Sequence, residues 1–360
     1  MVNQPLPGSL LAERFLLESQ IGAGGMGTVL RARDAQSGKW VAVKLLQPQV
    51  DPQETARFER EAVLLAELQH PHIVSYVAHG ISEGGQPYLA MEWLEGEDLE
   101  QFLRRGLPSV AQCVDLLTGV SAALAEAHKR GIVHRDLKPS NLFLRGGDPR
   151  KVVVLDFGLA RRALRSGGLT RTGVIVGTPE YMAPEQARGE QDVGLPADIF
   201  SLGCLMFECL SGDPPFVGEH LTAVLVKVLL EEPPLLHTLR PEVPLKLSEL
   251  IARMLNKEPQ QRFASGLELN EAVRRLDLAA TTTELIAPGP TRLTPHEQQF
   301  FGVAVALHPS LDLGLGGDPF GTLRDALAEM GIGVERLADG SLVATALPSA
   351  SAADQALLAE

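Results

Sequence analysis

The segment His134-Arg135-Asp136-Leu137-Lys138-Pro139-Ser140-Asn141 is followed, fifteen residues after Asn141, by Asp156-Phe157-Gly158. The two segments supply a proton acceptor, a cation, an amide and a carboxylate. At this spacing, these groups can align a hydroxyl with a magnesium-bound nucleoside triphosphate. The pattern therefore indicates phosphoryl-transfer chemistry.

A glycine-rich segment, Gly22-Ala23-Gly24-Gly25-Met26-Gly27, lies nearer the amino terminus between two strand-like runs. Glycine has no side chain to keep the backbone away from phosphates, so this hairpin is predicted to cover a nucleotide. A Rossmann unit is the alternative, but it needs a helix that begins at Gly27. Thr28-Val29-Leu30 continues as a strand instead.

With these motifs in their order, residues 14–278 resemble a bacterial eukaryotic-like serine/threonine protein kinase. The resemblance implies an α+β, two-lobed protein-kinase fold, with a small β-rich lobe followed by a larger helical lobe. It also implies transfer of the γ-phosphate of ATP to serine or threonine hydroxyls of proteins. ATP and Mg²⁺ are the implied cofactors, with Mn²⁺ as the alternative ion.

Two features favour protein substrates of the serine/threonine class. Lys138 stands in a Leu-Lys-Pro sequence that resembles serine/threonine kinases rather than tyrosine kinases. Thr178, within residues 177–185, resembles the substrate-docking threonine of an activation segment, which kinases of small molecules generally lack. The implied partners are therefore ATP and proteins with accessible serine or threonine.

The same resemblance assigns the catalytic roles. Asp136 orients the substrate hydroxyl, Lys138 neutralises charge on the transferred group, and Asn141 and Asp156 hold the magnesium ion. Lys44 holds the α and β phosphates. The expected ATP-binding residues are Ile21, Gly22, Gly24, Gly27, Val29, Ala42, Lys44, Met91, Glu92, Leu94 and Phe143.

Lys44 is expected to pair with a glutamate of the following helix. Glu61 stands seventeen residues after Lys44, and Glu59 is the competing candidate. Glu61 is preferred because it precedes Ala62 and lies one turn from Leu65, on the face predicted to point inward.

Other motif positions are expected to be structural. His134 and Phe157 resemble part of the packed column that joins the lobes, although a general-base role for His134 is the alternative. Asp198 resembles the aspartate that anchors the backbone of the catalytic loop. The complete structural set is His134, Arg135, Phe157, Glu185, Asp198 and Arg262, with Glu185 and Arg262 as a pair.

The stretch 161–173 is basic and rich in glycine, and it contains Thr170 and Thr172. A phosphate on either threonine supplies about two negative charges, which Arg135 could bind. The sequence therefore predicts autophosphorylation in trans, which requires self-association. The alternative is that both threonines are ordinary loop residues.

Composition limits the other classes of function. The chain has 360 residues, a formal net charge of -13 and a pI near 5.2, which argues against nucleic acid or an anionic membrane as a partner. No membrane segment or secretion signal is expected, so a cytoplasmic location is predicted. The three cysteines, Cys113, Cys204 and Cys209, have no metal-ligand spacing and are expected to be core thiols.

The remaining segments are an extension at 1–13, a linker at 279–294 and a small module at 295–360. The module has the order strand, helix, hairpin, helix, which suggests a ferredoxin-like α+β unit. The stretch 334–342 resembles a nucleotide-cyclase homology domain, either partial or degenerate. Asp339 could match one metal-binding carboxylate, but residues 305–308 lack the other, so a structural or docking role is expected.

Two other classes of function remain as alternatives to an active kinase. One is a nucleotide-binding scaffold that recruits partners without useful turnover, and the other is a nucleotide cyclase. The scaffold has no chemical need for five retained groups: Lys44, Glu61, Asp136, Asn141 and Asp156. The cyclase lacks a carboxylate, so the kinase is preferred.

Overall fold

The chain divides into two compact units, Met1–Thr283 and Glu284–Glu360. The computed structural model describes residues 7–24, 27–46, 52–157, 179–190, 192–218, 220–276, 301–305, 332–336 and 342–346.

The first unit begins with a six-stranded antiparallel sheet in the order β1-β2-β3-β4-β6-β5. Phe15 and Leu17 are 0% and 1% exposed, whereas Leu16 between them is 48% exposed. This two-residue period is that of a half-buried strand. The strands are Leu10–Leu11 (β1), Phe15–Gly24 (β2), Gly27–Asp34 (β3), Trp40–Leu46 (β4), Tyr76–Ile81 (β5) and Pro87–Glu92 (β6).

The glycine-rich hairpin requires glycine at one position in particular. Gly27 pairs with Gly24 at the end of the β2–β3 ladder and has φ 143°. A Cβ atom there would lie 2.0 Å from the carbonyl oxygen of Leu45 on β4. The absence of a side chain therefore lets the hairpin lie close to the strand that carries Lys44.

One helix, Pro52–Ala66 (α1), packs against this sheet. Phe58, Ala62 and Leu65 recur at helical spacing and are 3%, 1% and 3% exposed. Glu59 is exposed, so it does not lie on the inward face. Glu61 lies within α1, but its side chain is outside the described residues.

The rest of the first unit is mainly helical, with a small antiparallel sheet in the order β7-β8-β9. Its strands are Gly96–Asp98 (β7), Leu142–Arg145 (β8) and Val152–Val154 (β9). The helices are Leu99–Arg105 (α2), Val110–Lys129 (α3), Pro184–Ala187 (α4), Pro196–Ser211 (α5), Leu221–Leu230 (α6), Leu236–Leu239 (α7), Leu245–Met254 (α8) and Gly266–Arg274 (α9). This β-rich lobe followed by a helical lobe confirms the predicted two-lobed fold.

Helix α5 lies at the centre of the helical lobe and is apolar on nearly every side. All three cysteines are buried and free, with Cys113 on α3 and both Cys204 and Cys209 on α5. The prediction that they are core thiols is confirmed.

Helix α3 is also strongly apolar. It has a mean hydropathy of 1.3 and is long enough to cross a membrane by length and composition alone. It begins with a capping box in which Ser109 and Gln112 bond each other's backbone N–H groups, and it packs against α5 and α9. These contacts are those of a core helix, and the expectation of no membrane segment stays a prediction.

A buried ion pair joins α4 to the segment before α9. Arg262 Nη1 and Nη2 donate to the two carboxylate oxygens of Glu185 at 2.8 and 2.9 Å, and the two residues are 2% and 3% exposed. Further guanidinium donors bind the carbonyl oxygens of Asn256, Pro196 and Lys257. The pair expected from the sequence is thus present and fully bonded.

The second unit contains a three-stranded antiparallel sheet in the order β10-β12-β11. The strands are Phe301–Val305 (β10), Ile332–Arg336 (β11) and Leu342–Ala346 (β12). A third strand between two earlier ones is the order found in ferredoxin-like units. The two helices expected in this module, and Asp339, lie outside the described residues.

We expect Arg262→Met to lower the free energy of unfolding by about 3–5 kcal/mol, because it leaves the buried Glu185 carboxylate unpaired. Urea denaturation followed by circular dichroism measures this loss. Arg275→Ala, at an exposed pair with Glu271, is the control and should cost less than about 1 kcal/mol. Equal small losses in both variants would show that the buried pair does not hold the lobe together.

Candidate active site

The catalytic loop is held in place by a single buried carboxylate. Asp198, in the first turn of α5, is 0% exposed. Its Oδ2 accepts from the backbone N–H of His134 and its Oδ1 from that of Arg135, each at 2.7 Å. Since Arg135 has φ 64°, in the left-handed region, these two bonds stabilise a backbone conformation that is otherwise unfavourable.

A histidine outside the sequence motifs completes this anchor. His128 Nε2 lies 3.0 Å from Asp198 Oδ2, and the backbone N–H of Gly266 donates to His128 Nδ1 at 3.0 Å. Nδ1 is therefore the acceptor, and Nε2 carries the proton that it donates to Asp198. Burial alone would raise the pKa of Asp198, but the His128 hydrogen bond and nearby donors outweigh it and hold that pKa below its ordinary value.

The loop brings three of the predicted catalytic residues together. Lys138 Nζ lies 3.2 Å from Asp136 Oδ2. Asn141 Nδ2 donates to the carbonyl oxygen of Asp136 at 2.7 Å and to Asp136 Oδ2 at 3.3 Å. The cation and the amide thus fix the direction of the Asp136 carboxylate.

The predicted phosphate and metal residues meet at a second contact. Lys44 Nζ on β4 donates to Asp156 Oδ2 at 2.7 Å, and the side chains are 9% and 31% exposed. Asp156 has φ 50°, so its backbone also lies in the left-handed region. A carboxylate at Asp156 and an amide oxygen at Asn141 are hard oxygen ligands, which fit the magnesium ion that the family implies.

The His134 ring is bonded on both sides. Its Nδ1 accepts from the backbone N–H of Asp136 at 3.3 Å, and its Nε2 lies 2.8 Å from the carbonyl oxygen of Leu155. The ring is 4.8 Å from the Phe157 ring between centroids. Since both nitrogens are occupied by backbone groups, this geometry favours the structural role over the general-base role.

Three residues of the predicted adenine pocket contact one another. Met91 is 7% exposed and forms a small cluster with Ala42 and Leu94. The Glu92 carboxylate accepts from Arg145 at 2.7 Å and from the Ser75 N–H at 2.9 Å. The other pocket residues that the structure describes are Gly22 and Gly27 of the hairpin, the half-buried Val29 and Phe143, and Ile21, which is 51% exposed.

Other predicted residues lie elsewhere. Thr170, Thr172 and Thr178 are outside the described residues. Glu185 and Arg262 form the buried pair described above, away from Asp136. Arg135 donates through Nη2 to the carbonyl oxygen of Val193 at 2.9 Å, and its own carbonyl accepts from Gln186 at 3.0 Å.

Sequence reasoning missed His128 and Gln186. Neither belongs to a motif with fixed spacing, and each acts on the catalytic loop from a distant element, His128 through Asp198 and Gln186 through the Arg135 carbonyl. The only available signal was polar character inside an apolar pattern, as for His128 near the end of the apolar helix α3.

Comparison with known proteins agrees with this geometry. Residues 15–273 match the model of the protein kinase domain. Serine/threonine-protein kinase pkn3 of Myxococcus xanthus is 36% identical over 306 residues, which make up 79% of this chain and 56% of pkn3. Serine/threonine-protein kinase PknA of Mycobacterium tuberculosis is 38% identical over 298 residues, which make up 81% of this chain and 66% of PknA.

Solved structures show the same fold. The PknI kinase domain of Mycobacterium tuberculosis superposes with a TM-score of 0.60 at 28% identity, covering 75% of this chain and 98% of that one. Rad53 residues 1–466 in complex with AMP-PNP superpose with a TM-score of 0.60 at 26% identity, covering 72% of this chain and 65% of that one.

The chain belongs to the protein kinase family, among relatives that are bacterial serine/threonine-protein kinases. It spans between about half and two thirds of the length of pkn3 and PknA.

We expect Asp198→Asn to lower the free energy of unfolding by about 2–4 kcal/mol, because an amide offers one acceptor oxygen where two are used. Urea denaturation at neutral pH measures the loss. Asp213→Asn, at an exposed position, is the control and should change the free energy by less than about 0.5 kcal/mol. A neutral result at Asp198 would mean that the loop is held by other contacts.

The loss of stability caused by Asp198→Asn should depend on pH. Since the pKa of Asp198 is lower in the native state than its ordinary value, its stabilisation is present above about pH 4 and is lost as the pH falls through the native pKa. The stability difference between the unaltered chain and Asp198→Asn should therefore shrink below about pH 4. A difference that stays constant to lower pH would contradict the depressed pKa.

Proposed function

We propose that the chain is a protein kinase that transfers the γ-phosphate of ATP to serine or threonine hydroxyls of proteins. The observation that carries this proposal is that the structure contains two contacts among the motif residues. Asp136 contacts Lys138 and Asn141, and Lys44 contacts Asp156. The first contact has the groups that act on a hydroxyl, and the second has the groups that hold phosphates and a metal ion.

The reaction forms a bond between the substrate oxygen and the γ-phosphorus. It breaks the bond between the γ-phosphorus and the oxygen that bridges the β and γ phosphates of ATP, and this oxygen leaves with ADP. Asp136 accepts a hydrogen bond from the attacking hydroxyl and receives its proton as the new bond forms. Lys138, 3.2 Å from the same carboxylate, neutralises charge on the transferred phosphoryl group. Phosphoryl transfer of this kind depends mainly on positioning and electrostatics.

The Asp156 carboxylate and the Asn141 amide oxygen would hold Mg²⁺, which would neutralise charge on the phosphates. The Lys44 ammonium contacts Asp156 in this structure and would bind phosphate in the proposed complex. The Lys44–Asp156 contact places this carboxylate beside the ammonium that would bind phosphate.

The serine/threonine preference rests on the Leu-Lys-Pro sequence at Lys138, on Thr178, and on the names of the relatives. Autophosphorylation rests on sequence and charge alone. Thr170 and Thr172 lie in a basic segment, and Arg135 adjoins the catalytic aspartate. Arg135 binds the Val193 carbonyl through Nη2, and its guanidinium is the cation that a phosphate on either threonine would bind in this proposal.

We expect Asp136→Asn to lower the rate of phosphate transfer at least about 100-fold, because the amide cannot accept the hydroxyl proton. The measurement is transfer of labelled γ-phosphate from ATP with magnesium to a serine- and threonine-rich test protein. Asp148→Asn, which alters an exposed pair with Arg150, should keep the full rate.

A second measurement separates this result from unfolding. Asp136→Asn should bind ATP with unchanged affinity, since Asp136 contacts the hydroxyl rather than the nucleotide. An unaltered chain that binds ATP but transfers no phosphate would favour the scaffold, and full transfer by Asp136→Asn would overturn the proposed mechanism.

We expect joint replacement of Thr170 and Thr172 by alanine to lower the transfer rate at least about tenfold, if phosphate on the loop orders it through new charge-assisted bonds. The rate is measured after preincubation with ATP, and mass spectrometry maps the label in the unaltered chain. Ser166→Ala, in the same segment, is the control. An unchanged rate in the double variant would show that neither threonine regulates the site.

A further inference from the structure

A surface cleft on the β-rich lobe is lined by residues outside the kinase motifs. Leu16 of β2 stands opposite Arg33 of β3, and Arg33 stands opposite Trp40 of β4. Residues directly opposite each other in an antiparallel sheet have their side chains on the same face, so these three form a row across the sheet. Together with this row, the lining of the Arg33 cleft consists of Gly8, Leu17 and Glu18.

The segment before the kinase domain forms one side of the Arg33 cleft. The match to the kinase domain starts at residue 15, whereas β1, Leu10–Leu11, pairs with β2 ahead of that point. The backbone N–H of Gly8 donates to the carbonyl oxygen of Leu17 at 2.7 Å, and the N–H of Leu17 donates to the carbonyl oxygen of Ser9 at 3.0 Å. These bonds fix the extension on the sheet and place Gly8 at the cleft.

Arg33 is an exposed cation without a carboxylate partner. Its Cζ lies 4.7 Å from the centroid of the Trp40 ring. Within the part of the chain that the structure describes, its side chain makes no ion pair and no hydrogen bond. Glu18, the carboxylate of the lining, lies 3.4 Å from Arg31 Nε instead. The cleft therefore presents a free guanidinium beside an indole and beside Leu16, which is 48% exposed.

These groups fit a peptide that has a carboxylate next to a large apolar side chain. A planar guanidinium binds a carboxylate through two parallel N–H bonds, and contact with an aromatic ring is compatible with that geometry. The apolar side chain can cover Leu16 and the indole of Trp40, which removes apolar surface from water. The extended backbone of such a peptide matches a row of side chains across three strands.

Two other ligands fit the cleft less well. Nucleic acid is a polyanion, whereas the chain has a formal net charge of -13 and a carboxylate, Glu18, in the cleft itself. In a two-fold contact with a second copy, the cleft would face its own duplicate. Arg33 would then need the Glu18 of that copy, which already contacts Arg31.

We propose that the Arg33 cleft is a docking site for an extended segment of a partner protein. An aspartate or glutamate of the segment binds Arg33, and a neighbouring large apolar side chain packs on Leu16 and Trp40. Docking there raises the effective concentration of the partner near the chain. The inference goes beyond the proposed function and does not depend on phosphate transfer, so either can fail without the other.

Tryptophan fluorescence can measure binding at this cleft directly. The chain has two tryptophans, of which Trp40 lines the cleft. The other, Trp93, is close to it through Arg31, whose Cζ lies 3.9 Å from the Trp40 ring centroid and 5.1 Å from that of Trp93. A ligand that covers Trp40 should therefore change the emission.

The test titrates two short synthetic peptides without tryptophan, in the absence of ATP. The acidic peptide has a leucine flanked by glutamates, and the reversed peptide has lysines in place of the glutamates. The variant is Arg33→Glu. The matched control is Arg275→Glu, which makes the same change of charge at an exposed pair with Glu271 in the helical lobe.

We expect the acidic peptide to cause a saturable change of emission in the unaltered chain, and the reversed peptide to bind at least about tenfold more weakly. Arg33→Glu should lower the affinity for the acidic peptide at least about tenfold and raise that for the reversed peptide. Arg275→Glu should behave as the unaltered chain. Leu16→Ser, at an exposed apolar position, should weaken the acidic peptide about fivefold, because apolar contact is lost.

Several results would overturn the inference. One is no saturable change with the acidic peptide, and another is equal binding of the two peptides by the unaltered chain. An equal loss of affinity in Arg275→Glu would indicate an effect of net charge alone. Tighter binding of an oligothymidylate than of the acidic peptide would assign the cleft to nucleic acid. A dimer in sedimentation that Arg33→Glu dissociates would assign it to a second copy.

Discussion

The catalytic loop depends on one buried charge. Asp198 has no exposed surface, and its two oxygens accept from two successive backbone N–H groups and from His128. A buried carboxylate is tolerable only when it is fully hydrogen-bonded, so the loop and the anchor stabilise each other. Because Arg135 is held at a positive φ by these bonds, the next residue, Asp136, projects its carboxylate towards Lys138 and Asn141 rather than into the core.

Much of the fold was predictable because the motif residues are close together in sequence and have distinct chemistry. The two lobes and the buried cysteines follow from strand alternation, helical periodicity and motif order. The Lys44–Asp156 contact was not predicted, because the two residues are 112 positions apart and spacing along the chain does not determine which distant side chains meet. The expected pairing of Lys44 with Glu61 stays a prediction, since the Glu61 side chain lies outside the described residues.

His128 shows a second limit of sequence reasoning. It is a polar side chain inside an apolar pattern, and periodicity alone assigns such a residue to the core. What distinguishes it is the backbone group that it binds, the N–H of Gly266. The partner of His128 is 138 positions away along the chain, and pairings over such distances are invisible to a local pattern. The roles assigned to the motif residues stay predictions until turnover is measured.

The bond between His128 and Gly266 also has a consequence for the order of assembly during synthesis. A ribosome releases the chain from its amino terminus, so His134 to Asn141 emerge well before Gly266. A Cβ atom at residue 266 would lie 2.4 Å from the backbone nitrogen of Ala125, so α9 docks on α3 by direct backbone approach. Until that docking, His128 lacks the donor that fixes its tautomer. A nascent chain therefore carries every motif residue while its loop anchor is incomplete, and the site matures only when the last helix of the lobe has left the exit tunnel.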